Sequence, residues 1–295
     1  MRVPYLMTSA PALAPASRLP WVRIAWFGVL MIACYAPVLK LLVWQWDNDP
    51  DMGHGFFVPV IAGFIVWQRR AELLSMTPRP NWWGLAVVLY GGLQLVIATL
   101  GAELFLARTA FVITLIGAVW LLGGDAIMKK LAFPLFLLFF MVPIPSVVYN
   151  RITFPLQILA SRLAENALPL LGIPVAREGN ILNLPNQQLS VVEACSGIRS
   201  LLSLTFLSLV YGFFFEKKAW MRVLLFLATI PIAIVANASR VTLTGVISQW
   251  KPELAEGFFH ESTGWVIFMI ALVILILFHQ ALARVARRLL PGERP

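Results

Sequence analysis

Long apolar runs, separated by short polar clusters, divide this chain into eight segments at about 22–44, 54–69, 82–100, 104–122, 131–149, 197–215, 219–248 and 263–285. A run of about 18 or more such residues, rising about 1.5 Å per residue, is long enough to cross a hydrocarbon core of about 30 Å. The second run is short, and the fifth is interrupted by Pro143 and Pro145. None shows the charged face that a helix in a soluble core presents to water. The pattern predicts an all-α, polytopic membrane bundle of about eight spans. No direct or inverted repeat relates the runs, which weighs against a secondary transporter.

Between the fifth and sixth runs the periodicity changes. In "RITFPLQILASRLAENALPLLG", Ile152, Leu156, Leu159, Leu163 and Leu170 recur at helical spacing among Arg151, Arg162 and Glu165. That mixture predicts a helix lying in the interface plane or packed over the bundle. In "IPVAREGNILNLPNQQLSVVEA", polar and apolar residues alternate around "GN" and "LPN", predicting a short hairpin or an irregular loop as an outer cap. The resulting division is 1–21 as a flexible cytoplasmic N-terminus, 22–149 as spans one to five, and 150–196 as interfacial helix and cap. Spans six to eight follow at 197–285, with a basic cytoplasmic tail at 286–295.

Composition agrees: 60% of residues are hydrophobic and 13% charged, against roughly 25% charged in soluble domains. The net charge of +9 does not point to nucleic acid, because the basic residues form no patch interleaved with aromatics. They alternate in place instead. Arg2, Arg18 and Arg23, then Arg69, Arg70 and Arg79, then Lys129 and Lys130 fall on one side of the runs. Lys217, Lys218 and Arg222, then Arg284, Arg287, Arg288 and Arg294 continue the series, whereas the first opposite loop, "DNDPDMGH", is acidic. By the positive-inside rule both termini are cytoplasmic and 150–196 lies outside. The start of the chain lacks an apolar core followed by a cleavage site, so the first run is expected to be an uncleaved anchor.

On this topology Cys195, in "VVEACSGIRS", opens span six at the outer boundary. A thiol at a helix N-terminus feels positive backbone dipoles that favour thiolate; a small buried packing residue is the other reading. Arg240, in "VANASRVTLTG", sits in the outer half of span seven, with Asn237 and Thr244 one turn to either side. A guanidinium at that depth faces a bundle interior or wet cavity, or else snorkels to the outer interface or pairs structurally with Glu193 or Glu103. His260, in "EGFFHESTGW", precedes span eight on the same side, as a reacting imidazole or an interfacial loop residue. Cys34 falls in span one as inert packing, and His279 lies in the opposite half of span eight. Cysteine attack on a carbonyl needs an imidazole for the thiol proton, and the oxyanion needs a donor such as a forked guanidinium. Cys195, Arg240 and His260 supply that set. Glu193 and Arg199 could hold the cysteine loop, Asn237 stands beside Arg240, and His54, which opens span two, could approach the same chamber. No HExxH, GxSxG or acidic metal cluster occurs, so neither a metal nor another cofactor is expected.

"VVEACSGIRSLLSL", "NASRVTLTG" and "FHESTGW", in that order on separate spans, resemble the exosortase/archaeosortase family, as does "GHGFFVP" at span two. The resemblance covers roughly 45–285 and is densest over 190–265. It implies an inner-membrane cysteine transpeptidase acting on exported proteins with a C-terminal Pro-Glu-Pro motif, apolar helix and basic tail. It implies a Cys–Arg–His triad, matched by Cys195, Arg240 and His260. The protein would pass its thioester to an unidentified acceptor nucleophile or to water, within membrane lipid and in association with exopolysaccharide production. Where the family often has serine before the His-Gly pair, this chain has Gly53. Some bacterial members continue into a soluble domain; with the sequence ending at Pro295, such an activity is expected from another polypeptide. Two rivals remain: a non-enzymatic transporter or scaffold of exopolysaccharide export, and a serine peptidase using Ser196 or Ser200.

Overall fold

The computed structural model describes residues 21–191, 197–250 and 258–289, and at 50, 197–200, 250, 258–261 and 289 the backbone alone. The expected flexible N-terminus and residues 290–295 of the basic tail lie outside the described residues. The elements are α1 (Trp21–Asn48), a 3-10 segment (Pro50–Phe56), α2 (Phe57–Gln68), α3 (Arg70–Ser75), α4 (Trp83–Leu100) and α5 (Leu104–Leu137). Then come α6 (Ser146–Ala167), strands β1 (Ala176–Glu178), β2 (Ile181–Asn183) and β3 (Gln188–Ser190), and helices α7 (Gly197–Phe215), α8 (Ala219–Trp250) and α9 (Phe258–Leu289). The chain is a helical, polytopic membrane protein. Among the described residues five helices are long and apolar enough to cross a bilayer: α1, α4, the stretch Leu104–Met141, Ala219–Gln249 and Ser262–Arg288. The expected second span is a shorter helix, α2, at 12 residues, and the expected sixth coincides with α7, Gly197–Phe215.

The expected fourth and fifth spans share one ribbon, α5, broken at Gly124, where φ is +77°. Only glycine tolerates that conformation easily, and the carbonyl of Arg79 occupies the space a Cβ would need. The two parts of α5 have different partners. Before the break, Gly84 meets the backbone of Leu121 and Gly91 meets Thr114, so α4 and α5 lie antiparallel in close contact. Small residues permit this approach in lipid, where packing rather than hydrophobicity drives association. After the break, Arg69, following α2, donates from Nη1 to the carbonyl of Lys130 at 3.1 Å, and Lys130 pairs with Glu72. The second part ends at the 3-10 turn Leu138–Met141, ahead of Pro143 and Pro145, and α6 starts at Ser146 rather than near 150.

The described residues up to Trp44 together with Phe56–Val142 form one compact unit; Gln45–Gly55 together with those from Pro143 onward form a second. In the first, the Tyr35 hydroxyl lies 2.7 Å from Thr114 Oγ1 and 3.2 Å from the carbonyl oxygen of Ala110, tying α1 to α5. Cys34, beside it, is exposed on α1. On that turn of the span Tyr35 takes the inward position.

In the second unit, α6 inverts the arrangement of a soluble amphipathic helix. Its buried positions are the small Thr153, Ala160, Ser161 and Ala164, while Val147, Ile152, Phe154, Leu159 and Leu163 are exposed among the exposed Arg151 and Arg162. The small face packs on the rest of this unit and the apolar stripe faces away from it, which fits both placements open in the sequence. The following segment forms an antiparallel sheet in the order β1-β2-β3. Gly179, at φ +64°, begins the two-residue turn between Glu178 and Ile181, the position where a type II′ hairpin takes glycine. Arg177 pairs with Glu165 at 2.6 Å and Ser161 donates to the carbonyl of Gly179, so the sheet is pinned to α6. Ala164, Leu168, Leu182, Leu184, Leu189 and Val191 close a core on Val241 of α8. The cap thus rests on the residue next to Arg240.

Candidate active site

Helices α7, α8 and α9 share a core of Leu204, Leu225, Ala233, Ala271 and Leu275. These residues fix the direction of each helix. At one end Leu204 of α7, the Ala236–Arg240 turn of α8 and the Gly264–Phe268 turn of α9 line a common cavity. At the other, Tyr211 and Glu216, near and just beyond the end of α7, meet His279 of α9. The start of α7, the later half of α8 and the start of α9 therefore lie at one end.

Arg240 is buried, 9% exposed, with Asn237 and Thr244 buried one turn to either side. Positions 233, 236, 237, 240 and 244 follow the 3.6-residue period and make one face of α8; 241, 245 and 248 make the neighbouring face. The second face carries the cap, with Leu168 3.2 Å and Leu184 3.7 Å from where a Cβ on Gly245 would stand. Helical side chains lean toward the N-terminus of their helix, so the Arg240 side chain runs back over Asn237 and Ala236. The cavity there measures about 10 Å³ and is otherwise lined by Leu204, Ala233, Ile267, Phe268 and Ala271. It is near the lower limit for one water molecule. A guanidinium in so apolar a setting is costly unless it is used or paired.

The guanidinium lies against the backbone of α9 at Gly264: a Cβ built there would stand 3.0 Å from Cζ and Nη2 and 3.2 Å from Nη1. His260 precedes Gly264 by four residues on α9, so its register position lies one turn away on the same helix face. Topology read from the sequence put Arg240, Asn237 and His260 at one end, and the helix directions place their backbone positions there. Arg199 lies in the first turn of α7, where the backbone alone is described. Cys195 and Glu193 fall at 192–196, outside the described residues. Glu103, a suggested partner for Arg240, instead accepts from its own helix at Leu106 N, 2.6 Å away. His54 is half-buried in the 3-10 segment, which belongs to the C-terminal compact unit despite its early place in the chain.

Two features escaped the sequence. Gly264 stands inside "FHESTGW", four residues after His260, and that spacing was the available signal. At the opposite end, His279 has its Nδ1 2.9 Å from the Tyr211 hydroxyl and its Nε2 3.1 Å from Glu216 Oε2. No local pattern announces a network among residues so far apart in sequence.

No curated protein and no solved structure matches the chain. The family model described as "Transmembrane exosortase" matches residues 46–277, from the last turn of α1 into the last helix. With that match over most of its length, the chain belongs to the transmembrane exosortase family.

Proposed function

We propose that this protein is a cysteine transpeptidase that cleaves the C-terminal sorting signals of exported proteins at the outer face of the cytoplasmic membrane. The observation that carries the reading is the burial of Arg240 against α9 one turn from the His260 position. Family membership supplies the reaction class. The substrate's apolar helix lies in the bilayer, and its sorting motif reaches the boundary where α7 and α9 begin.

The Cys195 thiol gives its proton to the His260 imidazole, and the sulfur attacks the scissile carbonyl. Negative charge collects on the carbonyl oxygen, and the Arg240 guanidinium stabilises it through two parallel N–H groups. That group stays cationic in an apolar site, where an ammonium would readily lose its proton. The C–N bond then breaks, the leaving amine takes its proton from His260, and a thioester remains. An acceptor amine, hydroxyl or water attacks the thioester and restores the thiol. Asn237 steadies Arg240, and Glu193 and Arg199 hold the cysteine loop.

Thiol-specific alkylation tests the nucleophile. The sequence has one other cysteine, Cys34, so the measurement belongs in a Cys34→Ala background, where Cys195 is the one thiol. Alkylation is expected to abolish processing of a co-expressed protein carrying a Pro-Glu-Pro motif, apolar helix and basic tail. Continued processing after complete alkylation would assign the reaction to a hydroxyl, Ser196 or Ser200.

A further inference from the structure

The contact between Arg240 and Gly264 has a chemical asymmetry. A methyl group at position 264 meets no backbone atom among its nearest neighbours; its contacts are Cζ, Nη2 and Nη1 of Arg240, at 3.0, 3.0 and 3.2 Å. Those are the outer atoms of a long side chain, which can swing aside. Compare Gly84, whose Cβ would strike the backbone of Leu121, so that a whole helix would have to move. Substitution at 264 would therefore leave the helices where they are and displace the guanidinium.

Two further facts sharpen this. The backbone of Gly264 is helical, with no positive φ among the described residues of α9, so glycine is not needed there for its conformation. Alanine is the better helix former and should favour α9. The cavity beside the guanidinium holds about 10 Å³, too little to take up a displaced planar group. Any shift must carry it along the face of α8 or toward the His260 turn.

Building on the transpeptidase reading, we propose that Gly264 is a positioning residue: its missing side chain sets the place and plane of the Arg240 guanidinium relative to the His260 position one turn away on α9. The N–H fork must face the developing oxyanion, and an error of an ångström at such a group costs orders of magnitude in rate. Glycine at this position makes the α9 backbone a flat surface against which the fork rests. Gly264 acts through Arg240 and touches no reacting atom.

The test uses the full-length protein, processing a fusion with a Pro-Glu-Pro motif, apolar helix and basic tail. Wild type must process it and Cys195→Ala must not; if that fails, the transpeptidase reading falls and the role of Gly264 falls with it. With that established, Gly264→Ala is expected to lower kcat by roughly 10- to 100-fold, a partial loss of one oxyanion donor. KM should stay within about twofold and the melting temperature should be unchanged or higher. Gly264→Val should lower kcat further. In an Arg240→Ala background the same alanine should change the residual rate by less than about twofold, since nothing remains to be displaced. Full activity of Gly264→Ala, an equal loss in both backgrounds, or a loss that tracks a lower melting temperature would each overturn the proposal.

Discussion

Tyr149 donates its hydroxyl proton to Oδ2 of Asp51 across 2.6 Å, joining the first turn of α6 to the 3-10 segment that carries His54. The loop is organised around the same aspartates: Asp51 N donates to Asp49 Oδ1 at 2.9 Å, and Gln45 Nε2 to Asp49 Oδ2 at 3.3 Å. Trp46 closes over Gly55, leaving no room for a side chain there. The early histidine is thereby built into the compact unit that holds Arg240.

Tyr149→Phe should therefore loosen this segment. A hydrogen bond to a carboxylate contributes about 1.5 kcal/mol or more, so thermal unfolding should begin a few degrees lower. Asp51→Ala should do the same, and the double variant should lose little beyond either single one. Additive losses in that cycle would separate the two side chains energetically.

Arg108 is a second buried guanidinium. It is 5% exposed, its Nε has no hydrogen-bond partner, and it lies in α5 within the other unit. A buried charge without good partners is often replaced by an apolar residue at no cost, or with a gain of about 1–4 kcal/mol. Arg108→Met should melt at the same temperature as wild type or higher, read by differential scanning in detergent. A fall of many degrees would mean that the guanidinium is structurally needed.

The Glu216 network makes stability depend on pH in a definite direction. Burial pushes the Glu216 carboxyl up, but the backbone N–H groups of Lys218 and Lys217 and the bond to His279 outweigh it, holding it below the ordinary range. A carboxyl lowered on folding adds stability above its unfolded value, about 4.3, and that contribution disappears as pH falls through the lower folded value. Melting temperature should thus drop below about pH 4, and Glu216→Gln should flatten that drop. An unaltered profile in Glu216→Gln would remove the carboxyl from the explanation.

Much of this was readable in the chain because bilayer physics is severe. Apolar length found the five helices that are long enough to cross a bilayer, and helical direction in a chain of alternating crossings brought the Arg240 and His260 positions to one end. The early "DNDPDMGH" loop was readable only in part: its acidity was plain, but its bond to Tyr149 depends on the fold. The break at Gly124 falls in the gap between the fourth and fifth apolar runs, but that both runs share one ribbon, α5, was not legible, because the glycine's φ of +77° depends on the Arg79 carbonyl beside it. The α6 helix was legible from its stripe, but not its packing face, since in lipid the large apolar side chains face outward and small ones mark the contact. Gly264 was invisible for a related reason. What matters there is a missing Cβ, and only a neighbour's position reveals its use.

The loss expected for Arg240→Lys follows from geometry. An ammonium at the same depth keeps the charge but not the two parallel N–H groups, and removing a donor of this kind costs about 10²–10³ in kcat. Processing should fall by at least about 100-fold while the protein still inserts and melts normally. Near-wild-type turnover would show that charge alone suffices.

The central claim, thioester chemistry at Cys195, is tested most directly by mass spectrometry of the C-terminus of a co-expressed substrate, with wild type and with Cys195→Ala. Wild type should yield a shortened chain ending at the sorting motif, bearing an acceptor or a free carboxylate, and Cys195→Ala should leave the substrate intact. The same shortened product, formed at the same rate without the sulfur, would contradict it.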